Sequence, residues 1–175
     1  MGLPVDFVTY SLSGATLLYV ASQSGHIKMV KMLLNEMADV NKEHTDGGAT
    51  PLYAAAYEGH AGVVKLLSGE DADVDKACTE NGATPLYVAS QGGHLEVARL
   101  LLGDGAEVDN ALDDTDGGVT SLYTAADSGY VELVNLLLDN GAEIDRASTD
   151  DGTTPLYVAS ENGWAVQVDP RLTQG

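Results

Sequence analysis

The tetrapeptide Thr84-Pro85-Leu86-Tyr87 decides the fold, because related tetrapeptides recur at regular intervals along the 175-residue chain. The other copies are Thr16-Leu17-Leu18-Tyr19, Thr50-Pro51-Leu52-Tyr53, Thr120-Ser121-Leu122-Tyr123 and Thr154-Pro155-Leu156-Tyr157. Successive tyrosines are 34, 34, 36 and 34 residues apart. A near-constant period of this length indicates an array of similar units, each too small to bury a core alone.

The pattern of each unit predicts a short helix, a turn and a longer helix. The Thr-Pro pair marks a helix start, since the threonine hydroxyl can accept from an unpaired N–H group and proline has no N–H to lose. A glycine that suits a helix end stands six residues after each tyrosine, at Gly25, Gly59, Gly93, Gly129 and Gly163. Apolar residues at helical spacing follow, such as Leu95, Val97 and Leu101. Stretches such as Asp46-Gly47-Gly48 predict a hairpin turn between units.

These units resemble ankyrin repeats. The family's Gly-x-Thr-Pro-Leu-His, Gly-His, Val-x-Leu-Leu and Gly-Ala-Asp-Val-Asn motifs are matched by Gly82 to Leu86, Gly93-His94, Val97 to Leu102 and Gly105 to Asp109. The resemblance implies an all-α repeat solenoid, an ankyrin-type stack of helix-turn-helix units with protruding β-hairpin loops. Its short helices would line a concave face that holds another protein. We therefore expect one domain over residues 1–175, with units at about 14–47, 48–81, 82–117, 118–151 and 152–175, the last truncated.

Two units depart from the family pattern at the end of the longer helix. Where the family has glycine, the first unit has Met37 and the second has Asp71. If these residues keep the left-handed conformation, each costs about 1 kcal/mol relative to glycine. The second unit also has Gly62, Ser68 and Gly69 in its longer helix, so we expect it to be the least stable unit.

Other departures lie in the hairpins, at the tyrosines and at the end of the array. The hairpin between Asp109 and Gly118 is two residues longer than the others, so its tip should protrude furthest. Tyrosine replaces the family's Thr-Pro-Leu-His histidine in all five copies, which predicts a stack of tyrosine rings. Pro170 prevents a full second helix in the last unit. Trp164 then either covers the last core or belongs to a fragment of a longer array.

The charge of the chain argues against several classes of partner. Lys and Arg number 8 against 27 Asp and Glu, which gives a formal net charge of −19. Such a field repels nucleic acids and anionic membranes. No run reaches the roughly 18 apolar residues of a transmembrane helix, and the N-terminal residues lack the regions of a signal peptide. Because Cys78 is the one cysteine, we expect an intracellular, cytoplasmic protein in a reducing compartment.

The sequence offers no catalytic or metal-binding constellation. Three histidines recur at the position where the family has a structural histidine, namely His26, His60 and His94. Equivalent atoms of stacked helices lie about 10 Å apart, which is too far to share one ion. If Gly117 were the sixth residue of a calcium loop, Leu112 and Tyr123 would occupy the first and last ligand positions, so that motif fails. We expect no enzyme activity, no metal and no cofactor.

The candidate partner-binding residues are those that vary while the scaffold repeats. In each unit the residues just before the glycine should face solvent on the concave side, and the hairpin tips should continue this face. The candidates on the short helices are Gln23, Tyr57, Glu58, Gln91, Asp127 and Ser128. Those at the hairpin tips are Asp46, Glu80, Asp113, Asp114, Asp116 and Asp150. Residues 101–175 carry 2 basic and 15 acidic groups, so we expect a basic protein partner.

Two alternatives to a partner-binding module remain open. One is a fragment of a longer array that acts as a structural spacer without a partner of its own. The other is a substrate for hydroxylation, which in eukaryotes modifies the family's hairpin asparagine; Asp39-Val40-Asn41 is the one matching copy. For the array itself, the monomer is the expected oligomeric state.

Overall fold

The computed structural model describes residues 16–112 and 117–164, which form nine α-helices. The short helices are α1 (Leu17–Gln23), α3 (Pro51–Tyr57), α5 (Pro85–Gln91), α7 (Ser121–Asp127) and α9 (Pro155–Glu161). The longer helices are α2 (Ile27–Asn35), α4 (Ala61–Ser68), α6 (Leu95–Gly103) and α8 (Val131–Asp139). Each short helix packs against the next short helix, and α1, α3, α5 and α7 also pack against the longer helix that follows them. The architecture is an all-α repeat solenoid.

Threonine fixes the start of every short helix. The residues concerned are Thr16, Thr50, Thr84, Thr120 and Thr154. In each case the hydroxyl oxygen accepts a hydrogen bond of 3.1–3.3 Å from the backbone N–H of the tyrosine three residues later. Seven residues are too few for a helix that persists alone in water. The cap therefore sets where each helix begins, and packing between units stabilises it.

One apolar core runs along the whole stack. The leucine before the tyrosine is at most 1% exposed in the first four units, at Leu18, Leu52, Leu86 and Leu122. The longer helices contribute leucines that are fully buried, at Leu67, Leu101 and Leu137. Because these side chains form a single cluster across units, the stability of each unit depends on its neighbours.

A left-handed residue follows each longer helix. The backbone φ is 63° at Met37, 59° at Asp71, 93° at Gly105 and 91° at Gly141. Met37 and Asp71 thus adopt the conformation that glycine adopts in the other units. Each carries strain of about 1 kcal/mol that glycine would avoid. The lower stability of the second unit stays a prediction.

The hairpins between units contain no β-strand within residues 16–112 and 117–164, and each is closed at its turn by a backbone hydrogen bond of 2.8–3.0 Å. An example is the 2.8 Å bond from the N–H of Cys78 to the carbonyl oxygen of Ala83. In the longest hairpin, an isolated antiparallel bridge joins Ala111 to Thr120. Residues 113–116 at its tip lie outside the described residues, so the protrusion of that tip stays a prediction.

Two of the repeated tyrosines, Tyr19 and Tyr123, contact residues of the hairpin that follows in the chain. The rings of Tyr19 and His44 lie 4.9 Å apart between centroids, at an interplanar angle of 52°. The hydroxyl of Tyr123 shares a 2.9 Å hydrogen bond with Oγ1 of Thr153. Burial, with the nearby charge of Cys78 as a second cause, raises the pKa of Tyr53 to about 12. These contacts tie helices to hairpins, while a continuous stack of tyrosine rings stays a prediction.

Trp164 closes the described part of the stack. It follows Gly163 at the position that His60 and His94 occupy in earlier units. Its half-buried ring packs against the apolar core. Residues 165–175, including Pro170, lie outside the described residues.

Candidate partner-binding surface

The two residues before each glycine turn lie at the exposed end of a short helix. All ten are exposed: Gln23 and Ser24, Tyr57 and Glu58, Gln91 and Gly92, Asp127 and Ser128, Glu161 and Asn162. We call these ten residues the helix-end surface. Because the short helices pack side by side in chain order, the surface continues from the first unit to the last.

The helix-end surface is polar and acidic around one aromatic side chain. It contains three carboxylates, Glu58, Asp127 and Glu161, and no basic residue. Tyr57 is 52% exposed and borders a shallow depression that Gln91 also lines. An amphipathic ring that is half accessible offers contact area at little conformational cost.

Histidines of the following unit hold the helix ends in place. Nε2 of His60 lies 3.0 Å from the carbonyl oxygen of Gln23, and Nε2 of His94 lies 3.0 Å from that of Tyr57. A carbonyl only accepts hydrogen bonds, so in each histidine Nε2 carries the proton and donates. The histidines therefore position the surface rather than form part of it.

Glycine is required at the turns because a ring of the next unit fills the space of a side chain. We call His60, His94, Tyr130 and Trp164 the ring column. A Cβ atom at the opposing glycine would lie 2.5–2.8 Å from these rings, at Gly25, Gly59, Gly93 and Gly129 respectively. No three metal-ligating side chains of residues 16–112 and 117–164 are grouped so that they could hold an ion.

The acidic candidates at the hairpin tips divide into two groups. Asp46, Glu80 and Asp150 are exposed. Asp113, Asp114 and Asp116 lie outside the described residues, so their position relative to the others stays a prediction.

Tyr53 lies within electrostatic range of one hairpin tip and of the end of its own helix. The charges of both Tyr57 and Glu80 contribute to the raised pKa of Tyr53, after the larger effect of burial. The position of Glu80 relative to the helix-end surface stays a prediction.

Successive hairpins are joined through their turns. The Sγ of Cys78 donates a 2.8 Å hydrogen bond to the carbonyl oxygen of Gly47, and the hydroxyl of Ser148 donates one of 3.1 Å to that of Gly117. Cys78 is buried and has the same contact as a serine in a later hairpin. Its place in the fold is structural.

Carboxylates further along the hairpins form links that the sequence did not reveal. Asp75 accepts a 3.0 Å hydrogen bond from the backbone N–H of Glu107, and Asp109 accepts one of 3.0 Å from that of Glu143. Burial is the largest cause of the raised pKa of Asp75. The signal that could have revealed these links is the recurrence of an acceptor side chain at one position of each unit.

Asn41 makes the corresponding link between the first two units. Its Oδ1 accepts a 2.8 Å hydrogen bond from the N–H of Asp73, and its Nδ2 donates one of 3.3 Å to the carbonyl oxygen of Asp71. Both ends of the amide are thus engaged with the next unit. Hydroxylation of Asn41 stays a prediction, and it concerns a side chain that already has a structural role.

Comparison with known protein families agrees with this geometry. A family model of ankyrin repeats matches in three copies, over residues 4–78, 62–148 and 106–168. The chain belongs to the ankyrin repeat family. Ankyrin repeats are generally protein–protein interaction modules. A search of curated proteins returned no match.

The helices of this ankyrin stack do not have the character of membrane spans. Within residues 16–112 and 117–164, none is both long and apolar enough to cross a bilayer.

Proposed function

We propose that this ankyrin stack binds a basic protein through the helix-end surface and the acidic hairpin tips. The observation that carries the proposal is the row of ten exposed, unit-to-unit variable residues on a scaffold whose core positions repeat. Exposed residues that vary on a rigid repeat scaffold are where recognition can differ without cost to the fold.

Tyr57 is the anchor of the proposed interface. Binding energy in protein interfaces concentrates in a few residues, among which tyrosine is enriched. Tyr57 has half of its surface available for burial, and His94 fixes the backbone beside it. A partner that covers this ring gains contact area without ordering a flexible segment.

The carboxylates act mainly on the encounter with the partner. Residues 1–100 carry 6 basic and 12 acidic groups, whereas residues 101–175 carry 2 and 15, so the net charge falls from −6 to −13. Such a field accelerates association with a basic surface and is screened by salt. We place the basic region of the partner over the half that contains Asp127 and Asp150.

Affinity capture from a cell lysate at low and high salt tests the proposal. The wild-type chain is compared with Tyr57→Ala combined with Asp127→Asn, and with Glu132→Gln as a matched control. Glu132 is exposed on α8, outside the helix-end surface, so its change removes the same charge elsewhere. We expect a basic protein that is retained by the wild type and the control at low salt, released at high salt and retained poorly by the double variant. Equal capture by all three chains would reject this surface and favour the spacer.

A further inference from the structure

The first two helices expose an apolar side that later units bury. The exposed fraction is 44% for Leu17, 42% for Val20 and 46% for Met29. We call these three residues the leading face. The residues at the same positions of the next three units are buried: Pro51, Pro85 and Ser121; Ala54, Val88 and Thr124; Val63, Val97 and Leu133. In those units the preceding helix pair packs on this side.

In every earlier unit one side of the short helix is covered by the following unit. The last described helix, α9, exposes part of this side. Tyr157 is 54% exposed, Ser160 is exposed and Leu156 is half-buried. We call these three residues the trailing face. The serine or alanine at the position of Ser160 is at most 1% exposed in every earlier unit, at Ser22, Ala56, Ser90 and Ala126. The two ends of the described stack therefore present the two sides of the interface that joins its units.

We propose that the leading face of one copy docks on the trailing face of a second copy, so that chains associate head to tail. Contacts between short helices form the larger part of each interface between units. Packing of α9 on α1 of the next copy would reproduce that part. A head-to-tail assembly differs from the monomer that is expected from the sequence.

The charges at the two ends support a head-to-tail arrangement. Residues 16–35 contain Lys28 and Lys31 and no acidic residue. Residues 139–164 contain six acidic residues and a single basic one, Arg146. The helices α1 and α2 therefore carry positive charge and the segment that ends with α9 is acidic, while residues 36–47 of the first unit add four acidic residues and one basic residue. Pairing two leading faces would instead oppose the lysines of both copies, in chains whose net charge is −19.

The leading face also has the composition of an adaptable contact surface. Met29 of the leading face is 46% exposed, and Met32 on the same helix is 52% exposed, whereas its equivalents Leu66, Leu100 and Leu136 are partly buried. Methionine is flexible and polarisable, and it is over-used where a surface must fit more than one partner geometry. A head-to-tail contact joins different surfaces of two copies, so it does not close on itself and forms open chains.

Sedimentation velocity on the full chain, with concentration raised to about 1 mM, tests the proposal in the affinity range of weak self-association. We expect the weight-average mass to rise continuously beyond that of a dimer. Leu17→Glu with Val20→Glu should block the leading face, and Ser160→Glu should block the trailing face. Both changes concern exposed side chains, and circular dichroism checks that each variant is folded. Gly103→Glu adds a charge on an open surface away from both ends and should associate like the wild type.

Mixing the two blocked variants gives the decisive result. Each alone should remain monomeric, whereas the mixture should form a dimer and stop there, because one intact face of each kind remains. A wild-type chain that stays monomeric over the whole range overturns the proposal. A wild-type dimer that Leu17→Glu/Val20→Glu abolishes and Ser160→Glu leaves intact overturns it in favour of paired leading faces. If the wild type is monomeric and the Leu17→Glu/Val20→Glu variant is strongly destabilised, the proposal is overturned. The leading face would then be covered by residues 1–15 of the same chain.

Discussion

Ser68 occupies a position that leucine fills in the other complete units. Leu34, Leu102 and Leu138 are partly buried there and pack against the core. The hydroxyl of Ser68 is buried and has no hydrogen-bond partner within the described part of the chain. A buried hydroxyl without a partner costs about 1–3 kcal/mol, and the apolar contact of leucine is missing as well.

Replacing Ser68 by leucine should therefore stabilise the protein. We expect Ser68→Leu to raise the free energy of unfolding by about 0.5–1.5 kcal/mol, measured by chemical denaturation. The reciprocal change Leu102→Ser in the third unit is the matched control and should lower it. A Ser68→Leu variant no more stable than the parent would show that the two positions are not equivalent.

Asp71 offers a second stabilising change, for a backbone reason. Its φ of 59° is a conformation that glycine adopts without strain. We expect Asp71→Gly to raise the unfolding free energy by about 1 kcal/mol in the same assay. Asp73→Gly is the control: Asp73 has no left-handed backbone and its carboxylate accepts from the N–H of Asp75, so it should destabilise. If both variants are more stable than the parent, or if neither is, backbone strain at Asp71 is not the cause of the difference.

Repetition in the sequence explains which residue features were predictable. The left-handed backbone at Met37 and Asp71 followed from the glycines at the same position, Gly105 and Gly141. The unpaired hydroxyl of Ser68 did not follow, because it depends on which neighbours reach that side chain after folding. Propensity identified Ser68 as unfavourable without revealing its strongest physical cause.

Among the structural elements, the turn after each short helix depends most strongly on the next unit. At Gly59 a Cβ atom would lie 2.5 Å from the ring of His94, and φ is 75°. Gly59 is therefore required for two reasons, its left-handed backbone and the space that the ring of His94 occupies. At Gly141 φ is 91°, but within the described part of the chain only Gly141 itself and its two chain neighbours have atoms within 4 Å of a Cβ placed there.

Alanine at these two glycines should separate strain from contact. Gly141→Ala should lower the unfolding free energy by about 1 kcal/mol, the conformational part alone. Gly59→Ala should lower it by at least about 2 kcal/mol, because the ring of His94 must also move. Thermal or chemical denaturation measures both. Equal losses would mean that the ring column adapts freely and does not fix the helix ends.

The links between hairpins should respond to pH through Asp75. Burial raises the pKa of Asp75 in the folded state above its ordinary value of 3.8. A carboxyl of this kind contributes stability below its unfolded pKa, and the contribution is lost as pH rises through the folded pKa. Asp75→Asn keeps an acceptor for the N–H of Glu107 and removes the titration. Its unfolding free energy relative to the parent should therefore increase from pH 3 to pH 6.

Asp75→Ala provides the control for the pH measurement. It removes both the titrating group and the acceptor, so it should be less stable than Asp75→Asn at every pH. A difference between Asp75→Asn and the parent that stays constant with pH would contradict the assignment of the raised pKa to this carboxyl.

Elements were predictable from the sequence to the extent that their signals are local. Thr84-Pro85 specified the start of α5, and Gly93 specified its end, because caps and turns depend on a few adjacent residues. The links from Asp75 and Asp109 to the next unit were not foreseen, since they join residues that are 32 and 34 positions apart. Similarly, the exposure of the helix-end residues was predictable, but their binding role remains a proposal.

At the scale of the whole molecule, shape and charge act together. The stack sets its helix ends in one row, with Tyr57 near one end of the row and Asp127 near the other. In the proposed interface, the acidic half of the chain would govern how fast a basic partner associates, and Tyr57 would govern how fast it dissociates. These two effects are separable in a kinetic experiment.

The association rate should report the carboxylates. Replacing Asp113, Asp114 and Asp116 by asparagine should slow association of the captured partner and flatten its dependence on salt. The dissociation rate should change little, because charges at the rim of an interface act mainly on the encounter. If one extended partner contacts both the hairpin tip and Tyr57, the effects of the three asparagine substitutions and of Tyr57→Ala on the binding free energy should add.

The dissociation rate of Tyr57→Ala tests the central claim most directly. Surface-binding kinetics with the captured partner should show dissociation faster by at least about tenfold, since truncating a buried aromatic anchor costs on the order of 2 kcal/mol. Met37→Ala, which truncates an apolar side chain that is 86% exposed and lies outside the helix-end surface, should leave the rate unchanged. Unchanged dissociation in Tyr57→Ala, or the same acceleration in Met37→Ala, would contradict binding through the helix-end surface.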